Sequence, residues 1–276
     1  VTFNAGDDTV SVIDVTTDEV VDLDVREDFN FIQMSPNGRW VVAYFNAALE
    51  DADFDIDGVR SFTEVSFVDT VMKQVESYSV GFNPKQVQFT AESDRAVVIS
   101  DSFITVADLS TAPIGLELLD LEADPVDPPV AAEVEITPSG GWAFVRYQGF
   151  DTIQAVHLET GEIGVLDAGI NPTDLDLSPD GTEAIVVARD SSEVRIFDTS
   201  DPLGVDVEVL DTPDSSTIGS LVLAPSGDVG LLFTTIATED RITFWDRNTD
   251  EMVTRGLVKP VEAVAISPDG NSALII

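Results

Sequence analysis

The stretch DFDIDGVRSFTE, residues 53–64, places oxygen-bearing residues at the spacing that a calcium loop requires. Asp53, Asp55 and Asp57 stand at loop positions 1, 3 and 5, and the Val59 carbonyl at position 7. Ser61 stands at position 9, able to ligate directly or through water, and Glu64 closes the loop bidentately at position 12. Gly58 at position 6 permits the sharp reversal such a loop makes. A hard dication takes six to eight oxygens, and this segment supplies them alone. Arg60 departs from the usual pattern, in which position 8 is apolar and pairs with a partner loop. The flanks RWVVAYFN and VSFVDT read as strands rather than helices, so the loop joins two strands. The alternative is a solvated acidic insertion in an acidic chain.

A second set of carboxylates recurs at intervals. Two and four residues before each of three successive turns stand Gln86 and Gln88, then Glu133 and Glu135, then Asp174 and Asp176. The equivalent places elsewhere hold Phe31 and Gln33, Ser220 and Val222, and Ala263 and Ala265. Strand alternation puts each pair on one face, opposite apolar residues such as Val134, Ile136, Leu175 and Leu177. Gathered along a channel, Glu133, Glu135, Asp174 and Asp176 would bind a cation or polar ligand. They would do acid/base work if their pKa values split. The other reading has them hydrogen-bonded across neighbouring sheets or facing water. The single histidine, His157, ends a strand where other repeats carry Asp, and a structural role is expected of it. Trp40, Trp142 and Trp245 fall inside strands and are expected to pack between sheets.

The elements that position these groups come from a repeat. FIQMSPNG, VQFTAES, VEITPSG, LDLSPDG, LVLAPSG and VAISPDG are apolar-alternating stretches that end in tight turns, 41 to 55 residues apart. Pro presets φ for such a turn and Gly accepts φ > 0. An apolar strand follows each turn, then a strand usually ending in Asp (TVSVID, EVSFVD, ITVAD, EVRIFD, ITFWD), then a variable fourth. Four short strands per period of about 40–50 residues predict an all-β fold, a β-propeller of four-stranded antiparallel blades. The strands number 25, which fits seven blades with ends lying outside the sequence; six blades closed by terminal strands is the alternative. One propeller domain spans 1–276: a partial blade 1–28, full blades 29–82, 83–130, 131–171, 172–216 and 217–259, and a partial blade 260–276.

Composition narrows the partners. With 13 Lys+Arg against 52 Asp+Glu the net charge is −39, which repels nucleic acid and anionic membrane surfaces. Lysine occurs only at 73, 85 and 259, and an apolar content of 43% supplies a large core. Either high ambient salt or simple solubility accounts for the acidity. The chain has no cysteine, hence no disulfide or thiolate site. It lacks an apolar run of about 18 residues. Its opening, VTFNAGDD, is expected to follow a removed leader or to continue a longer chain.

VTFNAGDDTVSVIDVTTDEVV, followed by repeated SPDG turns, resembles the YVTN-type propeller repeats of surface-layer and related exported proteins. The D-x-D-x-D-G loop is similar to calcium loops in the blades of integrin-like propellers. The resemblance implies an extracellular, cell-surface or periplasmic location and membership of a larger surface assembly. It implies a non-enzymatic scaffold or binding module, stabilised by Ca2+, that engages a protein or glycan partner on the loop-bearing face. That face includes the acidic, Pro-rich connection 120–130. The alternative is a lactonase-like hydrolase with a metal held in the channel by Glu133, Glu135, Asp174 and Asp176.

Overall fold

The repeat turns that open on Ser or Thr are held by their own side chains. Ser178 donates its hydroxyl to Asp180 (2.7 Å), and its oxygen accepts the Glu183 N–H at 3.0 Å. The Asp180 carboxylate also accepts the Thr182 N–H (3.2 Å), and these bonds, led by the Ser178 hydroxyl, hold its pKa down to about 2. Ser35 with Asn37 and Ser267 with Asp269 repeat the arrangement. At the other hairpin, the strand-ending Asp accepts backbone N–H groups two and three residues on. Asp69 takes Val71 and Met72, both at 2.9 Å, and Asp14, Asp108, Asp198 and Asp246 each make the first of these bonds. This is the Asx-turn, in which a side chain stands in for a backbone acceptor. His157 does the same with Nδ1, accepting from Glu159 and Thr160 at 3.3 and 3.2 Å. Its ring meets Trp142 edge-on at 4.8 Å.

The structure is a computed structural model that describes residues 1–50, 58–101, 103–121, 131–204, 206–213 and 217–276. Twenty-five strands form seven antiparallel sheets among the described residues, each a meander whose neighbours follow chain order. The first, within 2–24, has three strands; those within 31–79, 86–120, 131–167, 172–211 and 220–256 have four each; the last, within 264–275, has two. A 3-10 segment, Ala47–Leu49, follows the second strand of the second sheet. The chain is an all-β protein of the β-propeller class, and every sheet falls within a segment read as a blade.

Residue contacts divide the chain into two units, Val1–Val130 and Ala131–Ile276. In the first, Trp40, Val42 and Tyr44 of the second sheet pack with Val87, Ala96 and Val98 of the third. In the second unit, Phe144 and Ile153 pack with Leu175 and Val186, and Ile185 and Val187 with Leu221, Leu232 and Trp245. Second strands such as Trp40–Tyr44 are buried on both faces, which is why they read as unbroken apolar runs. All three tryptophans lie in this sheet-to-sheet packing, Trp40 and Trp245 buried and Trp142 partly so.

The repeat's proline and glycine also meet across sheets in the second unit. A Cβ placed on Gly181 (φ +71°) would overlap the Pro138 ring. One on Gly227 (φ +80°) would lie 3.4 Å from Pro179 Cδ, and one on Gly270 (φ +71°) 3.9 Å from Pro225 Cδ. The turn of one sheet therefore seats its proline against the glycine of the next.

Candidate functional site

The first strands of the fourth and fifth sheets, Ala131–Ile136 and Pro172–Leu177, lie side by side in the second unit. Each carries a register shift at the same place, between Ala131 and Glu133 and between Pro172 and Asp174. Such a bulge re-aims the side chains that follow it. Beyond it, Glu133 and Glu135 lie opposite Arg146 and Phe144, and Asp174 and Asp176 opposite Val187 and Ile185. Val134, Ile136 and Leu175, on the alternate face, are buried, as alternation requires.

The four carboxylates are half-buried and have few counter-charges. Arg146 Nε pairs with Glu133 at 3.0 Å, and the same guanidinium donates to the Pro172 carbonyl at 3.2 Å. Asp174 accepts the Leu221 N–H at 2.5 Å. Burial pushes Glu135 up to about 7, with Asp176, Glu133 and Asp174 adding repulsion. Burial likewise raises Asp174 to about 7, against the pull of the Leu221 N–H and Arg146. Asp176 rises to about 6 through burial and the charge of Glu133. Near neutral pH this group therefore shares protons or attracts a cation, because like charges so placed do not all ionise freely.

A catalytic metal asks for three converging protein ligands. Among the described residues no three His, Asp or Glu side chains are placed to hold a metal ion. The fold brings Glu133, Glu135, Asp174 and Asp176 onto two neighbouring strands. The corresponding places in the first unit carry Phe31, Gln33, Gln86 and Gln88, and in the sixth sheet Ser220 and Val222.

Of the calcium-loop residues, Asp53, Asp55 and Asp57 lie outside the described residues, as does 122–130 of the Pro-rich connection. Val59 is half-buried, and Ser61 is buried with its carbonyl accepting the Glu64 N–H at 3.1 Å. Glu64 opens a strand and pairs with Arg26 at 3.3 Å. Arg60, the departure from the loop pattern, pairs with Glu27 at 2.7 Å and donates its N–H to Asp28.

Arg146 is the functional neighbour that the sequence reading missed. Its signal was present, a lone cation in the second strand WAFVRY, at the position that faces Glu133 across one hairpin.

No protein-family model matches the sequence, and no curated protein matches it. Solved structures do. A chain of the Kuenenia stuttgartiensis hydrazine synthase structure is 17% identical with a TM-score of 0.54, over 97% of this chain and 86% of that one. A chain of a mitotic checkpoint complex is 10% identical with a TM-score of 0.57, over 98% and 78%. A proposed 6-phosphogluconolactonase of Bacteroides uniformis is 16% identical with a TM-score of 0.53, over 97% and 83%. At such identities the likeness is one of fold, and propellers host unrelated functions.

Proposed function

We propose that the protein is a non-enzymatic propeller, exported or at the cell surface, that acts as a scaffold or binding module for a protein or glycan partner. The observation that carries this reading is the carboxylate group on strands 131–136 and 172–177. It is desolvated and answered by one guanidinium and one backbone N–H, a setting suited to receiving a cationic group from a partner. A net charge of −39 supports a partner other than nucleic acid or an anionic membrane.

The test is lactone hydrolysis by the purified chain in Mg2+, Ca2+, Mn2+ or Zn2+. No rate above buffer is expected with any of them. A rate that drops by about a hundredfold in Glu135→Gln or Asp174→Asn, the scale of losing a general acid or base, would sink the binding-module reading in favour of the hydrolase.

Ca2+ held by residues 53–64 belongs to the same proposal, as a clamp on the insertion between two strands. A ligand that binds only the folded form stabilises it by about 2.7 kcal/mol at a hundred times Kd. In a chain of this size each kcal/mol moves Tm by roughly 2–4 °C. Millimolar CaCl2 is therefore expected to raise Tm over EGTA by several degrees at both low and high NaCl, and Asp55→Ala to abolish the rise. Equal stabilisation by NaCl alone, indifferent to Asp55→Ala, would mark the motif as solvated acidity.

A further inference from the structure

In the first unit, a cavity of about 490 Å3 is lined by residues of the first strands of the second and third sheets, Phe31–Met34 and Gln86–Phe89. Its chemistry is unlike the rest of this acidic chain. No carboxylate lines it among the described residues. The one charged group in its lining, Lys85, is paired with Asp101 at 2.6 Å, so the cavity is close to neutral.

Two half-buried rings, Phe31 and Phe89, stand in the wall and pack on the core behind it. Tyr44 fixes Phe31 by an edge-on contact at 5.4 Å and 73°. The Tyr44 hydroxyl is spent on the Lys85 carbonyl (3.3 Å), and burial pushes the phenol up to about 12. Gln33 and Gln86 are different. Both line the cavity, and neither side-chain amide hydrogen-bonds another described residue. Gln86 is exposed and Gln33 half-buried. Each presents an amide that donates and accepts from one planar group.

These properties select a ligand. Anions are repelled by the charge of the whole chain, and cations find the desolvated carboxylates of the second unit a better partner. A neutral ligand remains. Primary amides match adjacent hydroxyl pairs, which also donate and accept, while half-buried phenyl rings cover a weakly polar C–H face. The volume is that of an ordinary small-ligand site. We propose that this cavity is a binding subsite for a neutral saccharide, recognised through Gln33 and Gln86 against the rings of Phe31 and Phe89. The proposal rests on the binding-module reading and deepens it by naming the ligand class of one site.

The test is isothermal titration of the full chain with neutral oligosaccharides (cellotetraose, mannotetraose and chitotetraose) and with a neutral, uncharged-side-chain tetrapeptide. The wild type, the double variant Gln33→Ala/Gln86→Ala and Glu159→Gln are compared. Neither glutamine is in the core, so the double variant is expected to keep the wild-type circular dichroism and Tm. At least one saccharide is expected to bind, about tenfold or more weaker in the double variant, the loss of roughly one or two hydrogen bonds, and unchanged in Glu159→Gln, an exposed position outside both sites. Failure of all three saccharides, binding indifferent to the double variant, or equal binding of the tetrapeptide each overturns the proposal. The binding-module reading falls separately, on a positive lactone assay.

Discussion

Gly181→Ala is expected to lower the unfolding free energy by roughly 2–5 kcal/mol, and Gly227→Ala by roughly 1–2 kcal/mol, although both glycines occupy the same place in the repeat. Both have φ near the left-handed region, at +71° and +80°, and a side chain there costs about 1–2 kcal/mol whatever the space around it. The difference lies in the neighbour. At Gly181 a methyl group meets the ring of Pro138, which has no rotamer to turn away. Overpacking of this kind adds about 1–3 kcal/mol. At Gly227 the nearest atom, Pro179 Cδ, is 3.4 Å away, an ordinary contact. Urea denaturation of the two variants beside the wild type reads the comparison directly. Equal losses would mean that the proline–glycine contact between sheets relaxes freely and that only backbone strain matters.

That contact shows why the fold was legible in the sequence. The SPDG turn is specified several times over. Ser178 and Asp180 hold the turn from within, proline and glycine set its dihedral angles, and the same two residues make the contact with the adjacent turn. A signal required by local and by tertiary structure at once repeats faithfully, so the strand number followed from it. The strand-ending Asp is another such signal. Its deviant copy, His157, is explained once Nδ1 is seen taking the two N–H groups that the carboxylate takes elsewhere.

The candidate site was legible only in part. Alternation placed Glu133, Glu135, Asp174 and Asp176 on their proper faces because a strand has a period of two. What alternation does not carry is depth and company. Desolvation of Asp174, its bond from Leu221 in the next sheet, and the reach of Arg146 to Pro172 depend on how the sheets are juxtaposed. The bulges at Ala131/Glu133 and Pro172/Asp174 are equally silent, having no glycine to announce them. Repetition also placed Phe31, Gln33, Gln86 and Gln88 at equivalent first-strand positions, but not the cavity they line. That Gln33 and Gln86 meet at one opening depends on how the two sheets are juxtaposed.

The protein is expected to be more stable near pH 5 than near pH 8, with the carboxylate group as the main localised cause. Glu135, Asp174 and Asp176 have folded-state pKa values of about 7, about 7 and about 6, all above those of the unfolded chain. Between about pH 4 and 7 the folded form therefore binds more protons than the unfolded one, and stability falls as pH rises through that window. The turn aspartates act with the opposite sign elsewhere. Asp69, Asp108, Asp180 and Asp198 are held below their usual values, so their contribution is complete above about pH 4 and is lost toward lower pH. Asp174→Asn keeps an acceptor for the Leu221 N–H and removes a desolvated charge. At pH 8 it is expected to stabilise the protein by roughly 1–3 kcal/mol, from about 1.4 kcal/mol per pKa unit reduced by solvent screening. At pH 4.5 it is expected to change little. General repulsion among the surface carboxylates of so acidic a chain tilts stability the same way, but salt screens exposed charges far more than half-buried ones. Urea denaturation at pH 4.5, 6 and 8 in 1 M NaCl separates the two. If the slope between pH 4.5 and 8 vanishes in salt for the wild type, and Asp174→Asn gains nothing at pH 8, the four carboxylates are ordinary solvated groups. If the slope survives salt and shrinks in the variant, the folded protein holds desolvated negative charge at that site, and a cationic ligand bound there would be expected to stabilise it most at pH 8.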